Sequence, residues 1–520
     1  MIERMTTRDR FDVREVSPAV VVALVGVVLA LLIARLPLPL AAGLVLGTAG
    51  VLITLVYPLF GLGVALLLGP FGALESIVFG PTLLDSGQIA LLLTLAAWIG
   101  GGLARRRLRV PASPFNLPWL LFVFVALLSL LDAYSIVLGL VELLKWLEMG
   151  LIVWLILDLT ANPSRPPSGV ASAARLVLAM LLLAGLVQAF IGIWQFGLRD
   201  TGPEHFMILG RFYRAYGTFE QPNPFGGYMN LVALPALGLL LGLVVAQIER
   251  RRAKSPAQPG DWSRLWLPFA AVGAGAASLA VVLSWSRGAW LGFLAGAAVL
   301  ALFSTRRVLL GLAVMVGAVV VLGSGVAFGA AAGFGPALAL TERLSGFGEE
   351  FTLGDARGVD INDANYAVIE RLAHWQAATG MARDDLWSGV GFGNYPAAYG
   401  DYALINFPDA LGHAHNYYLN LLAEVGAPGL LAYGVFWLFI VAQTIRVARR
   451  AAWPERGVVV GLLAAWAALA VHHLVDKLYV NNIYVHLGVM FGLLQLLAWP
   501  GFRVGSGDGR PIENMATTDW

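Results

Sequence analysis

The sequence predicts an all-α polytopic membrane protein of about 12–14 transmembrane helices, with a large extracytoplasmic loop containing short helices. Three observations carry this. Of 520 residues, 58% are hydrophobic and 13% charged, against about 25% charged in soluble domains, and the mean hydropathy is +0.76. Apolar runs recur at close to the length of about 20 residues that a helix needs to cross a bilayer. Basic clusters fall in alternate connections, as they do when one side of a membrane collects lysine and arginine.

The runs lie near 18–35, 38–57, 59–75, 86–103, 115–133, 136–159, 171–197, 226–248, 265–284, 288–303, 307–330, 428–447, 457–475 and 480–499. Met1 to Pro18 has no small-residue cleavage site, so the first run reads as an uncleaved span. A cytoplasmic N-terminus puts "RRRLR" at Arg105, "ERRRAK" at Glu249, "STRR" at Ser304 and "RVARRAAWPERG" at Arg446 on the inside. Residues 198–225 and 331–413 then fall outside, and 1–520 reads as a single integral membrane domain. There is no cysteine, which excludes disulfide and thiolate chemistry. The chain has no P-loop and no strand-borne GxGxxG, and no nucleic-acid partner is expected.

In the larger outer segment, Asn362 or Asp363 can cap a helix whose Val368, Leu372 and Trp375 share one face, with Arg371 four residues before Trp375. The glycines of "WSGVGFGNY" at 389, 391 and 393 call for a turn where backbone approaches something closely. Next comes "GHAHNYYLNLLAEVGAPG". Continued helix from His415 would align it with Leu419, Leu422 and Gly426, put His413 about 200° away, and break at Gly426 and Pro428. A histidine at a membrane face suits a general base near neutral pH; the ordinary alternative is a boundary residue bonded to a loop carbonyl. Arg287 in "LSWSRGAWLGF" stands at the outer end of a span, where snorkelling is the ordinary alternative to function. Arg211 and Arg214 lie beside aromatics in "RFYRAYGTFEQPNPFGGYM". Three arginine-bearing outer segments with a histidine suit an anionic headgroup, phosphate above all.

In combination, "RAYGTFEQPNPFGGYM", "SWSRGAWLGF", "ERLAHW" followed by "GVGFGNY", and "HAHNYYLNLLAEVGAPG" resemble the O-antigen ligase and O-antigen polymerase superfamily of bacterial membrane glycosyltransferases. The family's histidine pattern is met by His415, Asn416, Leu419 and Gly426; its functional arginines fall on Arg287 and Arg371. The resemblance implies a GT-C-type helical fold in the bacterial inner membrane. It implies transfer of a glycan from an undecaprenyl-pyrophosphate carrier to a glycan, lipid or protein hydroxyl at the outer face, without metal or nucleotide cofactor. His415 would be the base and Arg287 and Arg371 the pyrophosphate clamp. Arg214, Arg211, Asn416, His413 and Trp375 would touch substrate, with His413 more tolerant of alanine than His415. Ligase, polymerase and protein O-oligosaccharyltransferase remain open, and outside the family a lipid-linked glycan transporter.

Overall fold

The computed structural model describes residues 35–80, 84–160, 167–208, 210–253, 264–304 and 365–499, with scattered positions between 317 and 361. The chain is an all-α polytopic membrane protein: eight of its described helices are long and apolar enough to cross a membrane. Shorter apolar helices at Leu40–Val56, Asn116–Asp132 and Ile483–Ala498 match three further expected runs. The runs expected at 18–35 and 307–330 lie outside the described residues, apart from isolated positions.

In chain order the helices are α1 (Leu38–Val56), α2 (Pro58–Leu68), α3 (Gly72–Phe79), α4 (Ser86–Ala104), α5 (Asn116–Leu128), α6 (Ile136–Thr160), α7 (Pro167–Gly197) and α8 (Pro222–Ala253). They continue as α9 (Trp266–Leu283), α10 (Arg287–Ser304), α11 (Tyr366–Asp384), α12 (Tyr395–Tyr402), α13 (Tyr417–Arg450), α14 (Glu455–His472) and α15 (Ile483–Ala498). A two-residue hairpin pairs Met207–Ile208 with Phe212–Tyr213, antiparallel.

Local chemistry sets the ends. Asp85 and Gln88 form a reciprocal capping box that starts α4, so Asp85 is a cap as well as a charge. Pro222 opens α8, where its missing N–H costs nothing. The expected start of α11 moves: it begins at Tyr366 with Asn365 at its N-cap, while 362–364 lie outside the described residues. Within α13 the helix breaks at Gly426 (φ +63°), because the Ala427 N–H leaves the helical ladder for the Leu386 carbonyl at 2.7 Å.

One large apolar core runs through the helix bundle; aromatic side chains such as Phe122, Trp146, Phe436 and Phe491 fill its middle. Two smaller cores lie under α11 and α12: Ala377, Met381 and Tyr399 in one, Ile369, Leu372 and Phe407 in the other. The helices α8 and α14 meet backbone to backbone at Gly238, Gly242, Gly457 and Gly461, where a β-carbon would strike main-chain atoms of the other helix. In lipid, where water does not drive helices together, such small-residue contacts let dispersion act at close range.

This contact yields a test. Gly457→Val should destabilise the purified protein by about 1–3 kcal/mol through overpacking, read as a lower thermal unfolding midpoint. Gly434→Val on α13, where a β-carbon meets nothing within 4 Å, is the control. Equal midpoints for the two variants would mean that α8 and α14 do not touch at Gly457.

Candidate active site

At one end of the bundle, four separate segments converge. Asn416 caps α13 by accepting hydrogen bonds from the N–H groups of Tyr418 (3.0 Å) and Leu419 (3.1 Å). The expected helical wheel therefore fails: His415 precedes the helix, in left-handed backbone at φ +50°. Such backbone in a non-glycine residue costs about 1–3 kcal/mol and tends to gather at functional sites. Asn416 is spent on the cap and fixes where His415 begins. His413, expected on the far side of a helix, instead stacks edge-on against His415 with ring centroids 4.5 Å apart. Its Nδ1 accepts the His415 backbone N–H at 3.1 Å. It is part of the site and cannot serve as an indifferent control.

The second segment is the turn between α14 and α15, tied to the first because the Tyr417 N–H donates to the His473 carbonyl at 2.8 Å. It carries Asp476, 5% exposed, whose Oδ1 lies 3.5 Å from His413 Nε2 and 4.0 Å from His415 Nδ1. Its Oδ2 lies 4.0 Å from Nε2 of the buried His472. Lys477, next in the chain, drives into the bundle to pair with Glu142 of α6 at 3.0 Å; Lys145 binds the other oxygen of Glu142 at 2.6 Å.

The third segment is α11. Trp375 Nε1 donates to the His415 carbonyl at 3.4 Å. His374 is fully buried, with Nδ1 2.8 Å from the Tyr395 hydroxyl and its ring 5.4 Å from that of His415. Arg371, one turn earlier, lies within electrostatic reach of His415, His413 and Asp476. The fourth segment is the turn from α9 to α10. Arg287 is the first residue of α10, and a β-carbon on the adjacent Gly288 would come 3.2 Å from His472 Nε2, so this helix end abuts the cluster. Arg214 reaches the same turn, donating to the Ser284 carbonyl (3.1 Å) and to Asn223 Oδ1 (3.3 Å). Arg211 sits exposed over the Phe212 ring at 5.4 Å, and no described interaction joins it to the histidines.

The glycines expected to bring backbone close do so. Gly389, Gly391 and Gly393 all have positive φ, and β-carbons there would strike α13 backbone, Ala133 and Glu142 respectively.

Burial sets the protonation states, with neighbouring charge second. It pushes His415 down to about 3, helped by the Arg371 charge and by His374. Burial likewise pushes His374 down to about 4, holds His413 well below its ordinary value, and lifts Asp476 to about 6. Near neutral pH the arrangement is a neutral imidazole facing a carboxylate. His415 Nε2 is buried and has no hydrogen-bond partner among the described residues. In the tautomer that carries its proton on Nδ1, the side of the ring 4.0 Å from Asp476 Oδ1, Nε2 has an open lone pair.

Among the described residues, His413, His415 and Asp476 also bring three possible metal-ligand atoms within 4.8 Å of one another. Two imidazoles and one carboxylate would suit zinc better than magnesium or manganese. Against that use, His413 Nδ1 is already engaged and the Arg371 charge bears on all three groups.

Sequence reasoning missed His374, His472, Asp476, Glu142 and Lys477. For His472, Asp476 and Lys477 the available signal was "VHHLVDKLYV" at 471–480, which puts two histidines at the end of one apolar run and an acid–base pair before the next.

The fold and site define a multi-pass membrane protein with a partly exposed cluster of histidines and arginines around a buried carboxylate at one end of its helices. Residues 272–434, somewhat under a third of the chain, match the family described as O-antigen ligase; three of the four sequence blocks lie within them and the first, at 214–229, lies outside. The matched segment contains Arg287, Arg371 and His415 but neither Arg214 nor Asp476. No curated protein matches the chain. The family match supports a membrane glycosyltransferase of O-antigen ligase or polymerase type.

These protonation states are measurable by NMR on protein labelled at histidine nitrogen. His415 should stay neutral down to about pH 3. In Arg371→Gln its titration should move upward, since loss of a positive neighbour disfavours the imidazolium less. A His415 titration at its ordinary value near 6.5 in the unmodified protein would show that it is neither buried nor under the arginine's field.

Proposed function

We propose that the protein transfers a glycan from a lipid-pyrophosphate carrier, of the undecaprenyl type, to an acceptor hydroxyl in a single inverting displacement at the outer face of the bacterial inner membrane. The observation that carries this reading is the unpartnered, buried Nε2 of His415, set between Asp476 and the reach of Arg371. The acceptor O–H gives its proton to Nε2 as the oxygen attacks the anomeric carbon. The carbon–oxygen bond to the carrier breaks, leaving its electron pair on the pyrophosphate. Arg371 and Arg287 bind that pyrophosphate and stabilise the charge developing on it. Asp476 holds the His415 tautomer and stabilises the imidazolium. In the free enzyme Arg371 depresses His415; a bound pyrophosphate offsets that charge, so the base strengthens when the donor is in place.

The reaction is read as metal-free, and Arg371 and Arg287 fill the role a cation would otherwise serve. Polymerase chemistry would use the same groups with a lipid-linked glycan as acceptor, so the two differ in acceptor alone. A glycan transporter is less well supported, because an open base against a carboxylate serves proton transfer and not passage.

Activity is read as release of free carrier pyrophosphate from a lipid-linked glycan in the presence of acceptor. His415→Ala should lose about 10²–10⁴ in turnover. Arg287→Lys keeps the charge but not the fork, and should lose at least about tenfold, or 1.4 kcal/mol of transition-state stabilisation. A chelator should leave the rate unchanged. Full activity of His415→Ala removes the base; a chelator-sensitive rate restored by zinc would give the cluster to a metal.

Orientation has its own test. Basic residues close α8 and α13 at the end opposite the site. A cysteine placed at Thr201 should react with an impermeant thiol reagent applied to intact cells, and one at Ala253 should not. The reverse pattern would put the site in the cytoplasm.

A further inference from the structure

The connection between α14 and α15 that carries Asp476 ends at Asn481 and Asn482 in the wall of a cavity of about 260 Å³ that the reaction as proposed does not use. Its lining is polar almost throughout: Asp85, Gln88, Lys145, Glu220, Asn482 and Tyr484 are among its walls. These side chains are held in place. Asn482 Nδ2 donates to Asp85 Oδ2 (2.7 Å) and to the Gly69 carbonyl (3.0 Å), and its Oδ1 accepts the Tyr484 hydroxyl (2.9 Å). Behind them, the buried Glu148 lies within electrostatic reach of Tyr484, Asp85 and Lys145. Its Oε2 has no partner among the described residues. Three non-glycine wall residues, Glu220, Asn481 and Asn482, have positive φ.

We propose that this cavity is a carbohydrate subsite that binds sugar hydroxyls of one of the two substrates. The inference rests on the glycosyl-transfer reading for its role, though not for its chemistry. Carboxylates, carboxamides and a phenol, fixed by bonds to one another, offer both donors and acceptors to a ring of hydroxyls. The alternatives fit poorly. An acyl chain would find no apolar wall of any extent, a pyrophosphate would meet Asp85 and Glu220, and a bare cation would meet Lys145. The cavity is also near the base. Asn481 follows Asp476 by five residues, which span at most about 18 Å even fully extended, within the reach of a short oligosaccharide. Lys145 links the two places through two ion pairs, lining the cavity while pairing with the Glu142 that anchors Lys477, the residue after Asp476.

The test is saturation-transfer NMR on the full chain in lipid nanodiscs, free of glycoside detergents. The probes are glucose, galactose, N-acetylglucosamine and rhamnose. At least one should receive saturation. Ser76→Trp, at an exposed wall position of α3, should plug the cavity and weaken that binding by about tenfold. Glu220→Gly, which keeps the left-handed backbone and removes the carboxylate, should also weaken it. His415→Ala should bind as the unmodified protein does. No transfer to any sugar, or equal transfer in Ser76→Trp, overturns the proposal. In turnover, a raised KM in Ser76→Trp for the acceptor alone, or for the donor alone, assigns the hydroxyls to that substrate; both unchanged also overturns it. The binding arms need no turnover, so an inactive base assignment would leave them standing.

Discussion

The pairing of Lys477 with Glu142 is the constraint on which the candidate site depends. Both side chains are buried, and a buried charge is tolerated only with a partner and hydrogen bonds. Lys477 therefore has to enter the bundle where α6 presents Glu142, and this pulls down the turn between α14 and α15. Its neighbour Asp476 is left facing the histidines. Lys145, sharing the second oxygen of Glu142, ties the same point to the wall of the polar cavity. The backbone of 473 and 417 is then joined by a hydrogen bond, so α13 and the turn are held as a unit.

The fold was legible in the sequence because hydrocarbon enforces it. A spanning segment must be helical and apolar over a fixed length, so hydropathy and the placing of arginines are enough to locate the spans. Turn glycines were legible for a similarly strict reason: at Gly389, Gly391 and Gly393 positive φ and crowded backbone leave room for no side chain. The break at Gly426 followed from the same residue type, with Pro428 beside it.

The site was legible in part. Arg287, Arg371 and His415 stood out as polar groups in short blocks that resemble a family. Their arrangement did not, since it arises from contacts between segments far apart in the chain. Asp476 is 61 residues from His415, and no local pattern links them. The error at His413 has a definite cause. A wheel that includes His413 runs the helix four residues past its true start at Tyr417, and Asn416 is the residue that ends it, because its side chain satisfies the first free N–H groups in place of another helical turn.

That short excursion before α13 settles a question usually left to side chains. The main-chain N–H of His415 points at His413 Nδ1, so the neutral ring of His413 must carry its proton on Nε2, toward Asp476. A single carboxylate oxygen thus faces two imidazoles, one of which has its tautomer dictated by the peptide backbone. The proton inventory of the pair is written into the path of the chain: a substitution that shifted the peptide between Ala414 and His415 would change which nitrogen is a donor without altering any titratable residue.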